Sequence, residues 1–404
     1  MALHTTRRRL LSAVGMAATT GTILYTPSQS PVSPTLDAAV PGGTWPVPGR
    51  TPARTKHAPD AEPPTTEART AWKTAVPVTP WNPTLAVDSD SVYVPGNERL
   101  TALDASTGRE QWRLDTKTLW PPDGSEINVG PLVADDRLLL GTSNGLVSID
   151  TTSGSVAWIR GTNYDQRGGV VVDETAFIPT GPGTSGVIAV DVATGGRRHE
   201  WSTDQHVLPI AFIDGTLVTE SEDGISAFDP WTGEVRWRTD SLDPDLGDSP
   251  TMQIACGDRI VLGSNPIIAL DPDDGTELWR SRFPTGEDQT AAFEPAVDGN
   301  RVFVSSYWTG ETVALDAATG DEVWQVDEFL GSPIVANRTV FCLEEPGITA
   351  LNAADGRRIG RFANEFFPGE VAETLAVAGD RLYAAYDSDE NTDSGPNVVA
   401  LEAP

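Results

Sequence analysis

A phrase of about ten residues returns seven times along this 404-residue chain: an apolar residue, Asp, three variable residues, Gly, and usually Trp four positions later. The Asp-equivalent positions lie 36 to 50 residues apart. A period near forty residues, with a Gly turn and a Trp in each copy, is typical of a radial array of small β-sheets. The repeated residues are Asp104, Gly108 and Trp112; Asp150, Gly154 and Trp158; Asp191, Gly195 and Trp201; Asp229, Gly233 and Trp237; Asp271, Gly275 and Trp279; and Asp316, Gly320 and Trp324.

One repeat reads as a four-stranded antiparallel meander. Between residues 130 and 159, short apolar runs are separated by turn signals at 135–136, 143–145 and 152–154. Short β-branched or leucine-rich runs joined by Asx and Gly turns predict such a meander. The same opening occurs eight times, so we expect an all-β, eight-bladed propeller of four-stranded antiparallel blades over residues 71–404.

The two ends of the chain predict how the ring closes. The last repeat stops at Pro404 after its third strand, whereas Trp72 lies in an apolar strand with no blade before it. We expect the strand near Trp72 to complete the last blade, because closure removes exposed sheet edges.

Each repeated residue has a structural interpretation. The Asp side chain accepts backbone N–H bonds across a turn, and the Gly supplies a positive φ. The Trp presents a large apolar surface to the neighbouring sheet. These tryptophans are therefore expected to pack blades together and not to form a ligand cage.

The phrase A-x-D-x-x-T-G-x-x-x-W, as in Ala102–Trp112 and Ala314–Trp324, resembles the tryptophan-docking motif of the pyrroloquinoline-quinone (PQQ)-like propeller repeat family. The resemblance covers nearly all of residues 72–404 and implies eight blades. That family includes quinoprotein alcohol dehydrogenases and BamB-type non-catalytic scaffolds. Two copies depart from the motif: Trp201 lies six residues after its Gly, and the seventh copy has Asn352 and Gly360 for Asp and Trp.

The N-terminus predicts export. Arg7-Arg8-Arg9 precedes a weakly apolar stretch, so residues 1–26 resemble a twin-arginine export signal; a disordered basic N-terminus is the alternative. Residues 27–70 are rich in Pro, Thr and Ala without periodicity, which predicts a flexible spacer. We expect an extracellular or cell-surface protein, either released or tethered by an uncleaved N-terminus.

The net charge of the chain indicates that its natural solvent has a high salt concentration. The chain has 58 acidic and 28 basic residues, with a net charge of −30 spread over every blade. Concentrated salt screens such self-repulsion, and the composition resembles secreted proteins of salt-loving archaea. Nucleic-acid binding is disfavoured because no basic stripe is present.

A catalytic constellation is not found. The resembling quinoproteins carry a ring of adjacent cysteines over PQQ, whereas Cys256 and Cys342 lie a whole blade apart and are expected to be free and buried. No cofactor is therefore expected, and a PQQ- and Ca²⁺-dependent oxidoreductase is the alternative. A weak Ca²⁺ candidate comprises Asp387, Asp389, Asn391 and Asp393, for which a solvated loop is the competing interpretation.

Binding is then the expected function. In a propeller meander, the turns joining strands 1–2 and 3–4 share one end, the short-turn end, and are tight here. The strand 2–3 loops and blade-to-blade crossings share the opposite, long-loop end, and carry the aromatics that the repeat does not use: Trp120, Tyr164, Phe283, Tyr307, Trp308, Phe366 and Phe367. These aromatics are candidates for binding a protein, peptide or glycan, unless they pack onto their own loops. We expect a monomeric scaffold, with a structural cell-envelope role as a further alternative.

Overall fold

The structure is a computed structural model, and it confirms the all-β propeller. It describes residues 40–47, 49–76, 84–120, 126–161, 169–180, 186–203, 210–221, 224–240, 253–263, 266–282, 294–306, 310–328, 330–344, 347–363, 372–386 and 397–404. These residues form eight sheets, each containing four antiparallel strands that follow one another from the axis outward. One of the sheets, in blade 7, gains a fifth strand of two residues, His57–Ala58, which pairs in parallel with its innermost strand.

The strands of each blade run in chain order from the innermost to the outermost, except in blade 8. Blade 1 comprises Ala86–Val87, Ser91–Pro95, Arg99–Asp104 and Glu110–Asp115; blade 2, Ile127–Ala134, Arg137–Thr142, Gly145–Asp150 and Val156–Gly161; blade 3, Val170–Val172, Thr175–Thr180, Gly186–Asp191 and Arg197–Ser202; blade 4, Ile210–Ile213, Thr216–Ser221, Gly224–Phe228 and Val235–Asp240. Blade 5 comprises Gln253–Cys256, Ile260–Gly263, Ile267–Leu270 and Glu277–Ser281; blade 6, Ala296–Val297, Arg301–Ser306, Glu311–Asp316 and Glu322–Val326; blade 7, Ile334–Ala336, Thr339–Glu344, Gly347–Asn352 and Arg358–Ala363; blade 8, Ala372–Ala378, Arg381–Tyr386, Val398–Glu402 and Arg69–Thr74. A 3₁₀ helix, Thr116–Thr118, follows blade 1.

The ring closes as the sequence predicts. Arg69–Thr74 forms the outer strand of blade 8, and Trp72 lies opposite Ala400 in the strand Val398–Glu402. The buried side-chain amide of Asn397 extends this pairing, because it accepts from the N–H of Val76 at 2.8 Å and donates to its carbonyl at 2.7 Å. The first and last parts of the chain thus share one hydrogen-bonded sheet.

The core follows from the residue pattern of each strand. The middle strands are buried along most of their length, and Ser91–Pro95 and Ile267–Leu270 along all of it, since they face neighbouring blades on both sides. The outer strands instead alternate; in Glu322–Val326 only the central Trp324 is buried. Burial of both faces in the middle strands makes contact between adjacent sheets the main source of apolar stabilisation.

Six of the eight seams between blades are built in the same way, from one Trp and the next blade's Asp–Gly turn or, in blade 7, its Asn–Gly turn. The indole N–H donates to the carbonyl of the residue after the Asp-equivalent, and the Gly of that turn lies against the indole ring. The bonds are Trp72 to Ala105 (2.9 Å), Trp112 to Thr151 (2.7 Å), Trp158 to Val192 (2.9 Å), Trp237 to Pro272 (2.8 Å), Trp279 to Ala317 (2.9 Å) and Trp324 to Ala353 (3.0 Å).

The Asp of the turn holds the carbonyl in place for the indole. Asp104 Oδ1 accepts from the N–H groups of Ser106 and Thr107 and from both hydroxyls. These hydrogen bonds, first those from the two hydroxyls, lower the pKa of Asp104 to about 2 from its usual 3.8. Because the folded pKa is depressed, the contribution to stability is present above pH 3.8 and is lost as the pH falls towards 2.

Blade 3 departs from the pattern within its outer strand. His199 lies opposite Ala189, the position at which Trp112 lies opposite Ala102 in blade 1, and Trp201 lies two residues further along. Trp201 still contacts Gly233 of blade 4, but its indole N–H has no hydrogen-bond partner among the described residues. The two extra residues of the sequence phrase therefore displace the Trp along the strand without breaking the seam.

The seam between blades 7 and 8 has no Trp. At Gly360, which replaces it, an added Cβ would lie 2.1 Å from the carbonyl oxygen of Thr65. Pro63 and Pro64, just before Thr65, are buried. The N-terminal chain thus packs against blade 7 where an indole would otherwise lie.

A substitution at one seam glycine tests this packing. Gly154→Ala places a methyl group 2.5 Å from the Trp112 ring at a φ of +69°, and is expected to lower the free energy of unfolding by about 3 kcal/mol in a denaturant titration. Gly215→Ala is the matched control, since its φ is +73° but no atom lies within 4 Å, and it is expected to cost about 1 kcal/mol. Equal losses would show that close packing on the indole contributes nothing.

Candidate functional site

An N-terminal segment, residues 40–47 and 49–62, lies across the short-turn end of the propeller axis; we name it the axial segment. Its carbonyl groups accept hydrogen bonds from the innermost strands of six blades. The acceptor and donor pairs are Trp45 and Val87, Pro46 and Val133, Pro52 and Phe212, Ala53 and Cys256, Thr55 and Val297, and Lys56 and Val335, at 2.7–2.8 Å except 2.9 Å for Phe212. The N–H of Glu62 donates to the carbonyl of Gly379 in blade 8.

The prediction of a flexible spacer over 27–70 is therefore wrong for residues 40–47 and 49–70. Trp45 and Ala58 are buried, at 3% and 1% exposure, and Arg69 already belongs to a strand of blade 8. The Pro-rich composition that suggests disorder instead suits a chain that accepts hydrogen bonds, because proline has no N–H to satisfy. Residues 27–39, the rest of that stretch, lie outside the described residues.

Local backbone conformation lets the segment curve around the axis. Gly43, Gly49, Arg50, Arg54 and Lys56 all have φ between +52° and +80°. Three of these are not glycine, and each costs about 1 kcal/mol in the left-handed region. The bonds to the blades offset this cost and hold the bends in place.

Charge pairs fix the basic side chains of the axial segment. Arg50, 6% exposed, donates to Asp60 at 2.7 Å and to the carbonyl of His57 at 3.0 Å. Lys56 pairs with Glu294 just before the inner strand of blade 6, and this pairing is the main cause that lowers the pKa of Glu294. Burial lowers the pKa of His57, while Asp298 acts in the opposite direction. Four basic residues, at positions 50, 54, 56 and 57, thus belong to a segment that docks on a propeller with an excess of acidic residues.

A cavity of about 400 Å³ lies between the axial segment and blades 1–3. The axial segment contributes Val40, Pro41, Gly42, Thr44, Pro46, Val47 and Pro52; the blades contribute Asp88, Ser89, Val133, Ala134, Asp135, Val171 and Asp173. Its walls are thus mostly apolar, and the three carboxyl groups come from the first turns of three consecutive blades.

Of the predicted binding aromatics, the structure describes only Trp120. This side chain is half-buried and packs with Leu114 and Leu119 against the core between blades 1 and 2, as the competing interpretation expects. The others, Tyr164, Phe283, Tyr307, Trp308, Phe366 and Phe367, lie outside the described residues.

The Ca²⁺ candidate formed by Asp387, Asp389, Asn391 and Asp393 also lies outside the described residues. Among those that are described, no group of three or more His, Cys, Asp or Glu side chains is placed to hold a metal ion. Within the same ranges, no helix is both long and apolar enough to cross a membrane.

The cysteines do not fit the PQQ site that the family resemblance implies. Cys256 lies on the inner strand of blade 5 and Cys342 on the second strand of blade 7, and both are free and buried. Desolvation raises the pKa of the Cys256 thiol to about 12. A ring of adjacent cysteines cannot form from these two residues.

Sequence reasoning missed the axial segment and the cavity. The hydrogen bonds of the axial segment to the blades are made by backbone carbonyls, which leave no side-chain periodicity in the sequence. Two signals were present in the sequence: Trp45, a large apolar residue in a Pro-rich stretch, and the basic residues between 50 and 57 in a chain with three lysines.

A family model described as "Outer membrane protein assembly factor BamB" matches residues 18–239 and 263–403. The chain belongs to this family.

Sequence identity to individual relatives is low, and the match covers most of the BamB relative below but only about a third of the quinoprotein. A BamB of Burkholderia pseudomallei is 24% identical over 328 residues, which cover 72% of this chain and 78% of the relative. The quinoprotein alcohol dehydrogenase PedH of Pseudomonas putida is 25% identical over 46% of this chain and 36% of its own length. The crystal structure of BamB from Moraxella catarrhalis, at 16% identity, has a TM-score of 0.60 and covers 84% of this chain and 97% of that one, which shows a shared fold.

Limited proteolysis tests the axial segment directly. Trypsin is expected to leave the bonds after Arg50, Arg54 and Lys56 intact in the folded protein, since the backbone there is bound to the blades. The same bonds are expected to be cut once the protein is unfolded in urea, as followed by mass spectrometry of the fragments. Rapid cleavage at these positions in a propeller that keeps its melting transition would contradict the described path.

Proposed function

We propose that this BamB-family propeller is an exported, non-catalytic scaffold that binds a protein partner through its long-loop end. The observation that carries the proposal is the axial segment, whose carbonyls occupy the inner strands of six blades at the short-turn end. A ligand approaching along the axis from that end meets the protein's own chain. The opposite end carries the longer and more variable connections, which is where rigid scaffolds usually place their binding residues.

The family supports a protein as the partner. The relative from Burkholderia pseudomallei is, by its name, an outer membrane protein assembly factor. We extend the kind of role, binding of other proteins in the cell envelope, to this chain. A peptide or glycan at the cell surface remains the finer prediction, as does an N-terminus that stays in the membrane as a tether.

Charge determines the conditions under which binding is measured. A net charge of −30 creates repulsion that falls with ionic strength, because the Debye length shortens to about 3 Å at 1 M salt. Exposed aromatics keep their affinity in such salt, whereas pairs between exposed charges lose most of theirs. Molar salt is therefore the appropriate solvent for partner capture.

Partner capture from native cell envelopes tests the long-loop end. The double variant Trp308→Ala, Phe366→Ala is expected to lose more than about 90% of the captured partner, since interface aromatics often contribute 2 kcal/mol or more each. Trp231→Ala is the matched control, because Trp231 lies in the short-turn end of blade 4 and packs on Phe177 at 5.9 Å. This control is expected to melt at a lower temperature but to capture the partner normally. Normal capture by the double variant would remove these residues from the binding site.

Titration with PQQ and Ca²⁺ tests the oxidoreductase alternative. Because the two cysteines lie in separate blades, we expect no stoichiometric change in tryptophan fluorescence and no rise in melting temperature. A purified quinoprotein dehydrogenase stripped of its cofactor serves as the positive control. Stoichiometric binding would replace the scaffold with a quinoprotein and direct the search to alcohol or sugar substrates.

A further inference from the structure

The first turn of blade 7, which joins its strands Ile334–Ala336 and Thr339–Glu344, differs in charge from the first turns of the other blades. It consists of Asn337 and Arg338 and has no carboxylate. Each of the other seven first turns contains at least one acidic residue, and these include Asp88, Asp135, Asp173, Asp214, Asp258, Asp298 and Asp380. Blade 7 therefore departs from an otherwise regular acidic pattern at the short-turn end.

The backbone of this turn does not require asparagine. Asn337 has a φ of +51°, and the same turn position in blades 2, 3 and 4 is held by Asp135, Asp173 and Asp214 with φ between +45° and +50°. Asp and Asn tolerate the left-handed region to a similar degree. The conformation of the turn thus leaves the choice of Asn in blade 7 unexplained.

The sequence around Asn337 supplies a chemical reason for the difference. Asn337-Arg338-Thr339 is an Asn-x-Ser/Thr triplet, the acceptor sequence for N-linked glycosylation of exported proteins. The other such triplet in the chain, at residues 82–84, has a central proline and is not an acceptor. Asn337 is exposed at the tip of the turn, where a glycan has room to project into solvent.

The neighbouring contacts determine when the triplet is accessible. Thr339, whose hydroxyl belongs to the acceptor sequence, is only 5% exposed and lies opposite Ala336. The axial segment holds this hairpin closed, because the carbonyls of Lys56 and Ala58 accept from the N–H groups of Val335 at 2.8 Å and Asn337 at 3.1 Å. Recognition of Thr339 therefore requires the hairpin to open before the axial segment docks, while the other blades can already be folded.

We propose that Asn337 carries an N-linked glycan, added outside the cytoplasm; the proposal rests on the proposed export of the chain. The donor is an oligosaccharide joined through phosphate to a membrane lipid. Nδ2 of Asn337 forms a bond to the anomeric carbon of the first sugar, and the bond from that carbon to the phosphate oxygen breaks. The electron pair leaves with the lipid phosphate, and a proton passes from the amide to a base of the transferase.

The glycan lies at the short-turn end, beside the axial segment at Ala58. Its hydrated sugars cover the one first turn that lacks a carboxylate and add a solubilising group there. The long-loop end, to which the partner is proposed to bind, is left free.

Mass spectrometry of the full-length chain from the envelope of cells that naturally make it tests the site. Fragmentation by electron transfer is expected to locate the added mass of an oligosaccharide on Asn337. An unmodified Asn337 in the envelope fraction would overturn the glycan and leave export intact. A chain found only in the cytoplasmic fraction would instead contradict export, and the glycan with it.

Three matched variants separate the acceptor sequence from the structure of the turn. Asn337→Asp is expected to lose the glycan and keep its melting transition, since Asp holds this position in blades 2 to 4. Thr339→Val removes the hydroxyl at nearly constant volume and is expected to lose the glycan, whereas Thr339→Ser keeps the hydroxyl and is expected to retain it at lower occupancy. Added mass retained in folded Asn337→Asp or Thr339→Val protein would place the modification elsewhere and overturn the site.

Partner capture distinguishes this proposal from the proposed binding function. Asn337→Asp is expected to capture the partner normally, because the glycan and the long-loop end lie at opposite ends of the propeller. The double variant Trp308→Ala, Phe366→Ala is expected to carry the glycan at the same occupancy as the unchanged chain. Loss of the glycan in the folded and exported double variant would show that modification does not depend on the triplet alone, and would overturn the assignment.

Discussion

The docking of an indole on a glycine turn is the contact on which the ring depends. A single four-stranded blade cannot bury both faces, so each blade relies on its neighbours for most of its apolar stabilisation. The Trp makes this contact directional, because its N–H bonds to one carbonyl while its ring lies against one glycine, as with Trp112, Thr151 and Gly154. The angle between successive blades is thereby fixed, and eight such blades close on themselves.

The seventh copy of the repeat phrase shows that filling the space between two blades matters more than which residue fills it. Asn352 replaces Asp but still accepts the N–H of Ala354, so the turn is kept and Trp324 docks on it normally. Gly360 replaces Trp, and the chain around Thr65 packs there instead. The ring therefore tolerates a different partner at one seam provided that the space is filled.

The sequence allows the ring of eight blades to be predicted, but not the chain segment that lies across its axis. Spacing of Asp and Trp gives eight blades, and an unpaired strand around Trp72 gives the closure, because both depend on side-chain periodicity. The path of the axial segment depends on backbone carbonyls and on the left-handed conformation of Arg50 and Lys56, and no side-chain periodicity in the sequence reports either of these. The cavity is a consequence of that path and is equally hidden. Trp120 illustrates a further limit, since a loop aromatic reads the same in sequence whether it binds a partner or packs on its own blade.

The axial segment also changes how the blades depend on one another. In an ordinary repeat array each unit contacts only its two neighbours, so stability is a sum of local terms and the array can open from any weak interface. Here the stretch from Trp45 to Glu62 is bonded to seven blades, including pairs on opposite sides of the ring. Its residues are synthesised before any blade, yet their hydrogen-bond donors are complete only when the last blade has formed. The residues that are synthesised first thus become the last to dock, and their docking converts a series of local interfaces into one cooperative unit.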